Sequence, residues 1–162
     1  ASGGVGHLAV QIARHVLGSS AVGVCSARNA GFVRELGADV VLDYGAGDAL
    51  EQAVVHGPYQ VVMDCVGGYS PSRCRALLAR GGRHVIVSGE SVGSMLQLLV
   101  PPFSSRPILG RPTQRRLRPL VASIAEGRLR VHVAARFALG DAEEAHRLSQ
   151  GGRVTGKIVL LP

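Results

Sequence analysis

Short apolar runs alternating with stretches of helical periodicity constrain this chain more than any other feature in it. Ala21-Val22-Gly23-Val24-Cys25 is short, apolar and fit for a buried parallel strand, and Val40-Val41-Leu42, Gln60-Val61-Val62-Met63-Asp64 and His84-Val85-Ile86-Val87-Ser88 read as further strands. Between them lie helical patterns. Val5, Leu8, Ala9, Ile12, Ala13 and Val16 recur at three- and four-residue spacing, leaving His7, Gln11, Arg14 and His15 for a solvated polar side and Gly18 as the stop. Further helices are expected over residues 30–36, 48–55 and 71–79, the last ended by Gly81-Gly82. A short strand at Pro107-Ile108-Leu109 precedes a helix from Pro112 to about Glu126, with Leu117, Leu120, Val121 and Ile124 apolar on one side. Residues 131–137 read as extended, Asp141 as the cap of a helix through Leu148, and residues 157–161 as a last strand. Such alternation means a parallel sheet covered on both faces, and right-handed crossovers make the doubly wound α/β arrangement the leading topology.

The first helix opens on Ala1-Ser2-Gly3-Gly4-Val5-Gly6, which fits A-x-G-x-x-G, a dinucleotide fingerprint with alanine in place of the first glycine. The chemistry needs a tight turn, then backbone with no side chain in the way. A diphosphate can then rest on the helix N-terminus, where unpaired N–H groups and the helix dipole favour anions. Glycine-rich turns are common, so the motif gains its weight from the helix and strand that follow it. In a Rossmann sheet the fingerprint also follows a central strand, and here it starts at residue 1. Without that strand, those around Val24 and Val62 would flank a gap with unpaired backbone. The expectation is a piece of a longer protein; the other reading is a compact domain that fills the gap differently.

Composition narrows the setting. At 162 residues and 46% hydrophobic content the chain can bury one substantial core, and no apolar run approaches a membrane span. No signal peptide is visible, and Cys25, Cys65 and Cys74 show no CxxC spacing, so a soluble, reducing, cytoplasmic setting is expected. A net charge of +7 raises nucleic acid as a partner, but the basic residues are scattered except for Arg115, Arg116 and Arg118. A solvated helix face explains that run, and 4% aromatic content is thin for base stacking. The expectation is no nucleic acid and no membrane.

Several segments together carry a family resemblance. The fingerprint, then Gly23-Val24-Cys25-Ser26-Ala27-Arg28-Asn29, Leu36-Gly37-Ala38-Asp39, Asp64-Cys65-Val66-Gly67-Gly68 and Gly81-Gly82-Arg83 resemble the cofactor domain of medium-chain dehydrogenases/reductases. So does the ending, Ala142-Glu143-Glu144-Ala145-His146-Arg147 followed by Gly156-Lys157-Ile158-Val159. Quinone-reductase-like members are the nearest in pattern. The resemblance implies a two-domain enzyme, in which this chain is an NADP(H)-binding Rossmann domain lacking its first strand. An N-terminal GroES-like domain would carry most of the substrate pocket and, in some members, a catalytic zinc. Segments within about residues 129–162 would dock on that domain. The implied reaction is hydride transfer from NADPH to a quinone, enone or carbonyl substrate, the implied assembly a homodimer, and the fragment alone would be inactive. A module that holds NADP(H) without turnover is the alternative.

The cofactor preference is read from the second strand's end. An NAD-preferring protein presents Asp or Glu there to the adenosine ribose. This chain offers Ser26, Ala27 and Arg28, and a hydroxyl with a guanidinium can hydrogen-bond the 2′-phosphate of NADP; otherwise Arg28 is a surface residue before a helix. The expected cofactor-binding set is Ser2, Gly3, Gly4, Val5 and Gly6 at the diphosphate, Ser26 and Arg28 at the 2′-phosphate, and Tyr44 near the adenosine. Val66, Gly67 and Gly89, at strand carboxyl ends, complete it at the nicotinamide half. Tyr44 reads equally as a half-buried tyrosine with its hydroxyl in water, and Gly67 as a turn leading into a helix. No catalytic residue is assigned. The six histidines show no metal-ligand spacing, so no metal ligand is assigned. Cys65 beside Asp64 looks like a nucleophile with an acid, but a buried thiol with Asp64 anchoring a loop fits better.

Overall fold

The computed structural model describes residues 1–87, 105–108 and 110–162. The expected strand ends at Ser88 and Gly89, and Leu109, lie outside the described residues. The chain divides into two compact units, one of Ala1–Gly45 with Pro112–Pro162 and one of Ala46–Arg111. Every strand pairing among the described residues is parallel, as the alternation of strand and helix requires. The described strands form three sheets, of two, three and two strands. No helix among the described residues is long and apolar enough to cross a membrane.

In the first unit α1 (Gly6–Gln11) continues as a π-helical segment, Ile12–Val16. It leads to β1 (Val22–Cys25), a 3₁₀ turn, α2 (Ala30–Glu35) and β2 (Val40–Asp43). β1 and β2 pair in parallel from Val22 with Val40 to Cys25 with Asp43. On the other side of β1 the Ala1 ammonium donates to the Val24 carbonyl. Val10, Ala21, Cys25, Val33, Leu36 and Ala38 form the core between these elements. The face of α1 differs from the expected one. His7, expected to be solvated, is fully buried, and Gln11 is buried beside it, whereas Val5 is exposed. Periodicity placed the stripe on Val5, Leu8, Ala9, Ile12, Ala13 and Val16, but the buried side carries His7, Val10 and Gln11, because the two polar side chains find backbone partners inside the unit.

The same unit holds α5 (Gln114–Ala125), β6 (Val133–Ala138), α6 (Ala142–Gln150) and β7 (Lys157–Leu161). β6 and β7 pair in parallel. Asp141 stands at the N-cap of α6, as expected, but its side chain makes no capping bond. On α5 the expected apolar side, Leu117, Leu120, Val121 and Ile124, is exposed.

The second unit runs α3 (Ala49–Val54), β3 (Tyr59–Asp64), α4 (Pro71–Ala76), β4 (Leu78–Ile86) and β5 (Ser105–Pro107). The sheet order is β3-β4-β5. Asp48 caps α3 by accepting from the Leu50 and Glu51 amides and pairs with Arg73 at 2.8 Å. Gly81-Gly82 was expected to end a helix; it lies inside β4. The register jumps from Tyr59 opposite Leu78 to Val61 opposite Arg83, and a Cβ on Gly82 would come within 2.8 Å of the Tyr59 carbonyl. The glycine pair therefore lets β4 bulge against the backbone of β3.

Candidate cofactor site

The glycine turn stands at the open end of α1. Among the described residues no side chain caps this helix; its His7 and Leu8 amides donate to the Gly3 and Val5 carbonyls, each at 3.1 Å. Gly6 is where the backbone comes closest: a Cβ there would lie 2.7 Å from the Ala1 carbonyl oxygen. Gly3 is the opposite case, for a Cβ on it would meet nothing within 4 Å. The turn is thus tightly packed at Gly6 and open at Gly3.

The turn is fastened at both ends. The Ser2 carbonyl accepts from the Gly156 amide at 2.9 Å, and the Ser2 hydroxyl accepts from the Asn29 side-chain amide at 2.9 Å. Asn29 in turn accepts from the Thr155 hydroxyl at 3.3 Å. The Gly3 carbonyl accepts from the His7 backbone amide at 3.1 Å and lies 2.9 Å from His7 Nδ1. The Lys157 ammonium stands at Gly4, 3.2 Å from where a Cβ would be. Gly3 and Gly4 line a cleft of about 490 Å³ together with His146, Ser149, Lys157 and Leu160. Lys157, the chain's one lysine, reaches this turn because β7 begins with it.

The end of β1 lies in the same unit. Cys25 is buried, and burial pushes its thiol above the usual range. Ser26 Oγ is buried with no hydrogen-bond partner among the described residues, and Arg28, exposed, donates to the Arg153 carbonyl at 3.0 Å. Asp43 holds this loop by accepting from the Ala27 and Gly45 amides. Tyr44 follows β2 and is exposed. Ser2, Gly3, Gly4, Val5, Gly6, Ser26, Arg28 and Tyr44 thus belong to one unit, and Val66 and Gly67 to the other. Gly89 lies outside the described residues.

In the second unit Asp64 is buried and accepts from the Val66 and Gly67 amides at 2.9 and 2.8 Å. It anchors that loop, as the sequence implied. Burial, with Asp64 pushing the same way, raises the Cys65 thiol, and burial lifts Cys74 to about 11. Neither is an activated thiolate.

Sequence reasoning missed His7, Gln11, Asn29, Thr155 and Lys157. Their partners are remote in the chain, and no local pattern announces them. The one available signal was the uniqueness of Lys157.

Helices alternating with parallel strands, with a glycine turn at the first helix, define a Rossmann-type α/β protein. The chain belongs to the zinc-binding dehydrogenase family, whose model matches residues 36–160. It is similar to the chloroplast envelope quinone oxidoreductase homolog of Arabidopsis thaliana, 33% identical over 170 residues that take in 100% of this chain and 50% of that protein. Among solved structures, the quinone oxidoreductase from Coxiella burnetii superposes with a TM-score of 0.87 at 30% identity, over 98% of this chain and 50% of that one. The Escherichia coli quinone oxidoreductase complexed with NADPH gives 0.73 at 27% identity, over 99% and 55%. The chain spans about half the length of the curated relatives it matches. The family's name raises zinc, but among the described residues no group of three His, Cys, Asp or Glu side chains converges, so they offer that metal no ligand set.

Proposed function

We propose that this chain is the NADP(H)-holding part of an oxidoreductase that passes hydride to a quinone, enone or carbonyl substrate. The observation that carries the reading is the end of β1. An unpartnered Ser26 hydroxyl and an exposed Arg28 stand where an NAD-preferring site would present a carboxylate. The bare outer side of Gly3 and the uncapped start of α1 fit a diphosphate in the same unit.

The dinucleotide, when bound, supplies the hydride. The chain's part is to hold and orient it. Backbone of Ser2, Gly3, Gly4, Val5 and Gly6 receives the diphosphate. Ser26 and Arg28 hold the 2′-phosphate; Arg28 uses one nitrogen on the Arg153 carbonyl and keeps further donors for the anion. Tyr44 flanks the adenosine, and Val66, Gly67 and Gly89 are assigned to the nicotinamide half. The substrate pocket belongs to the rest of the parent protein, and segments within about residues 129–162 dock on its other domain. A homodimer in a cytoplasmic setting is part of the same proposal, and the three free cysteines fit a reducing compartment.

Fluorescence titration with NADPH and NADH tests the reading. Arg28→Ala should weaken NADPH by tenfold or more, since a charge-assisted bond is worth about 1.5–3 kcal/mol, and leave NADH almost unchanged. Equal losses for both would overturn the NADP preference. Turnover of a quinone and enone panel by the full-length parent separates an enzyme from a module that only holds the dinucleotide.

A further inference from the structure

His7 is the largest fully buried side chain of the first unit, and nothing in the reading above uses it. Its two ring nitrogens face opposite kinds of partner. Nδ1 lies 2.9 Å from the Gly3 carbonyl oxygen, which can only accept. Nε2 lies 3.3 Å from the His132 backbone amide, which can only donate. One protonation state satisfies both contacts: neutral imidazole with the proton on Nδ1.

We propose that His7 is a positioning residue for the diphosphate-binding turn, fixing the direction of the Gly3–Gly4 peptide between the fingerprint and the segment that enters β6. The proposal rests on the dinucleotide reading above and deepens it. A trans peptide points its N–H opposite to its C=O. With the Gly3 oxygen drawn onto the His7 ring and the His7 amide, the Gly4 N–H is turned the other way. Without the ring the Gly3 oxygen keeps only the His7 amide, and the peptide is freer to rotate and present its carbonyl oxygen to an anion, which repels it. Gln11, one turn on, strengthens the frame: its side chain donates to the Arg130 carbonyl and accepts from the Arg130 amide. Together the two residues register α1 against residues 130–132.

Protonating His7 would set an Nε2–H against the His132 N–H, donor against donor. The titratable and charged groups facing the ring are Lys157, at the start of β7, and His132; both disfavour a cation there. Burial holds the imidazole below its usual value, while the bond to Gly3 pulls it upward. Acid should therefore loosen the turn. An imidazolium would also attract a diphosphate through space, which acts in the opposite sense, so the direction of the pH effect decides between geometry and charge.

The test uses the 162-residue chain. Calorimetry with NADP⁺, which tolerates acid, is run from pH 8 to 5 on the wild type, His7→Asn and His7→Ala. Asparagine places an amide N–H near the Nδ1 position and does not titrate. The 2′-phosphate titrates in the same range for all three proteins, so the wild-type-minus-Asn difference isolates the ring. The expected result is that His7→Ala binds about tenfold more weakly at pH 8 and His7→Asn recovers part of that loss. The wild type alone should show an extra fall in affinity toward pH 5. Nitrogen NMR of labelled histidine should show a neutral Nδ1–H tautomer in the unliganded wild type at pH 7. An Nε2–H tautomer, parallel pH profiles for wild type and His7→Asn, or an affinity that rises in acid relative to His7→Asn each overturns the proposal. Absence of NADP⁺ binding by every protein at every pH, with the Nδ1–H tautomer present, overturns the dinucleotide reading itself and the proposal with it.

Discussion

Gly6 and His7 are neighbours in the chain, and the sequence reports them with very different fidelity. Gly6 was legible because its role is local. It stands at a fixed offset in the fingerprint, and its close approach is to Ala1, five positions back. Gly6→Ala would push a methyl into backbone that cannot give way, and should cost about 1–3 kcal/mol of unfolding free energy in a denaturant titration. A variant as stable as the wild type would mean that the turn can widen. His7 was misread because its partner, the His132 amide, lies far along the chain. Helical periodicity sorts residues by polarity and cannot see that a polar ring has both nitrogens matched inside. Arg28 lies between these cases. The residue types at the strand end were readable, but the unpartnered Ser26 hydroxyl that stands beside it was not.

At the scale of elements, the helices and strands follow the sequence closely where local chemistry sets their limits. Asp48 accepts from two amides of the first turn of α3, and Pro71 opens α4. Asp48→Ala should lower the thermal midpoint, and Asp48→Asn should recover the capping part but not the pair with Arg73. Arg73 beside Asp48 holds its carboxyl below the usual range, with the capping amides acting in the same sense. This stabilisation is present above the unfolded carboxyl value and lost as pH falls through the folded one. The difference between wild type and Asp48→Ala should therefore vanish in strong acid; a difference that persists there would point to lost packing. Gln11 shows what local patterns miss. It binds both backbone groups of Arg130, so Gln11→Ala leaves a donor and an acceptor unmatched and should cost about 1–3 kcal/mol by denaturant unfolding. A smaller loss would show that water reaches Arg130. The bulge of β4 was equally hidden, since glycine pairs end helices as readily as they kink strands.

Across the whole molecule, each unit buries one histidine away from water. His7 sits in the first, and His84 in the second has Nδ1 3.0 Å from the Ser105 hydroxyl and an Nε2 with no partner among the described residues. Burial pushes both imidazoles below the usual 6.5. An unfolded histidine takes its proton near that value while the folded ones resist, so between the two the unfolded chain binds more protons. Stability should therefore hold above about pH 6.5 and fall as pH drops below it. Thermal midpoints at pH 7.5, 6.5 and 5.5 check this, and a flat profile across that range would show that the buried rings do not resist protonation.

The sequence by itself determined the class of fold, the order of its elements and the place of the glycine turn. Those depend on short-range rules: period, caps, and glycine where backbone must pass close. Only the tertiary structure decided which face of α1 is buried and that residues 153–157 fasten the fingerprint. It also decided that a histidine beneath the turn has both nitrogens engaged. Each of these is a hydrogen bond or contact between groups far apart in the chain. A local pattern can show that such a group is polar, but not where folding will bring its partner.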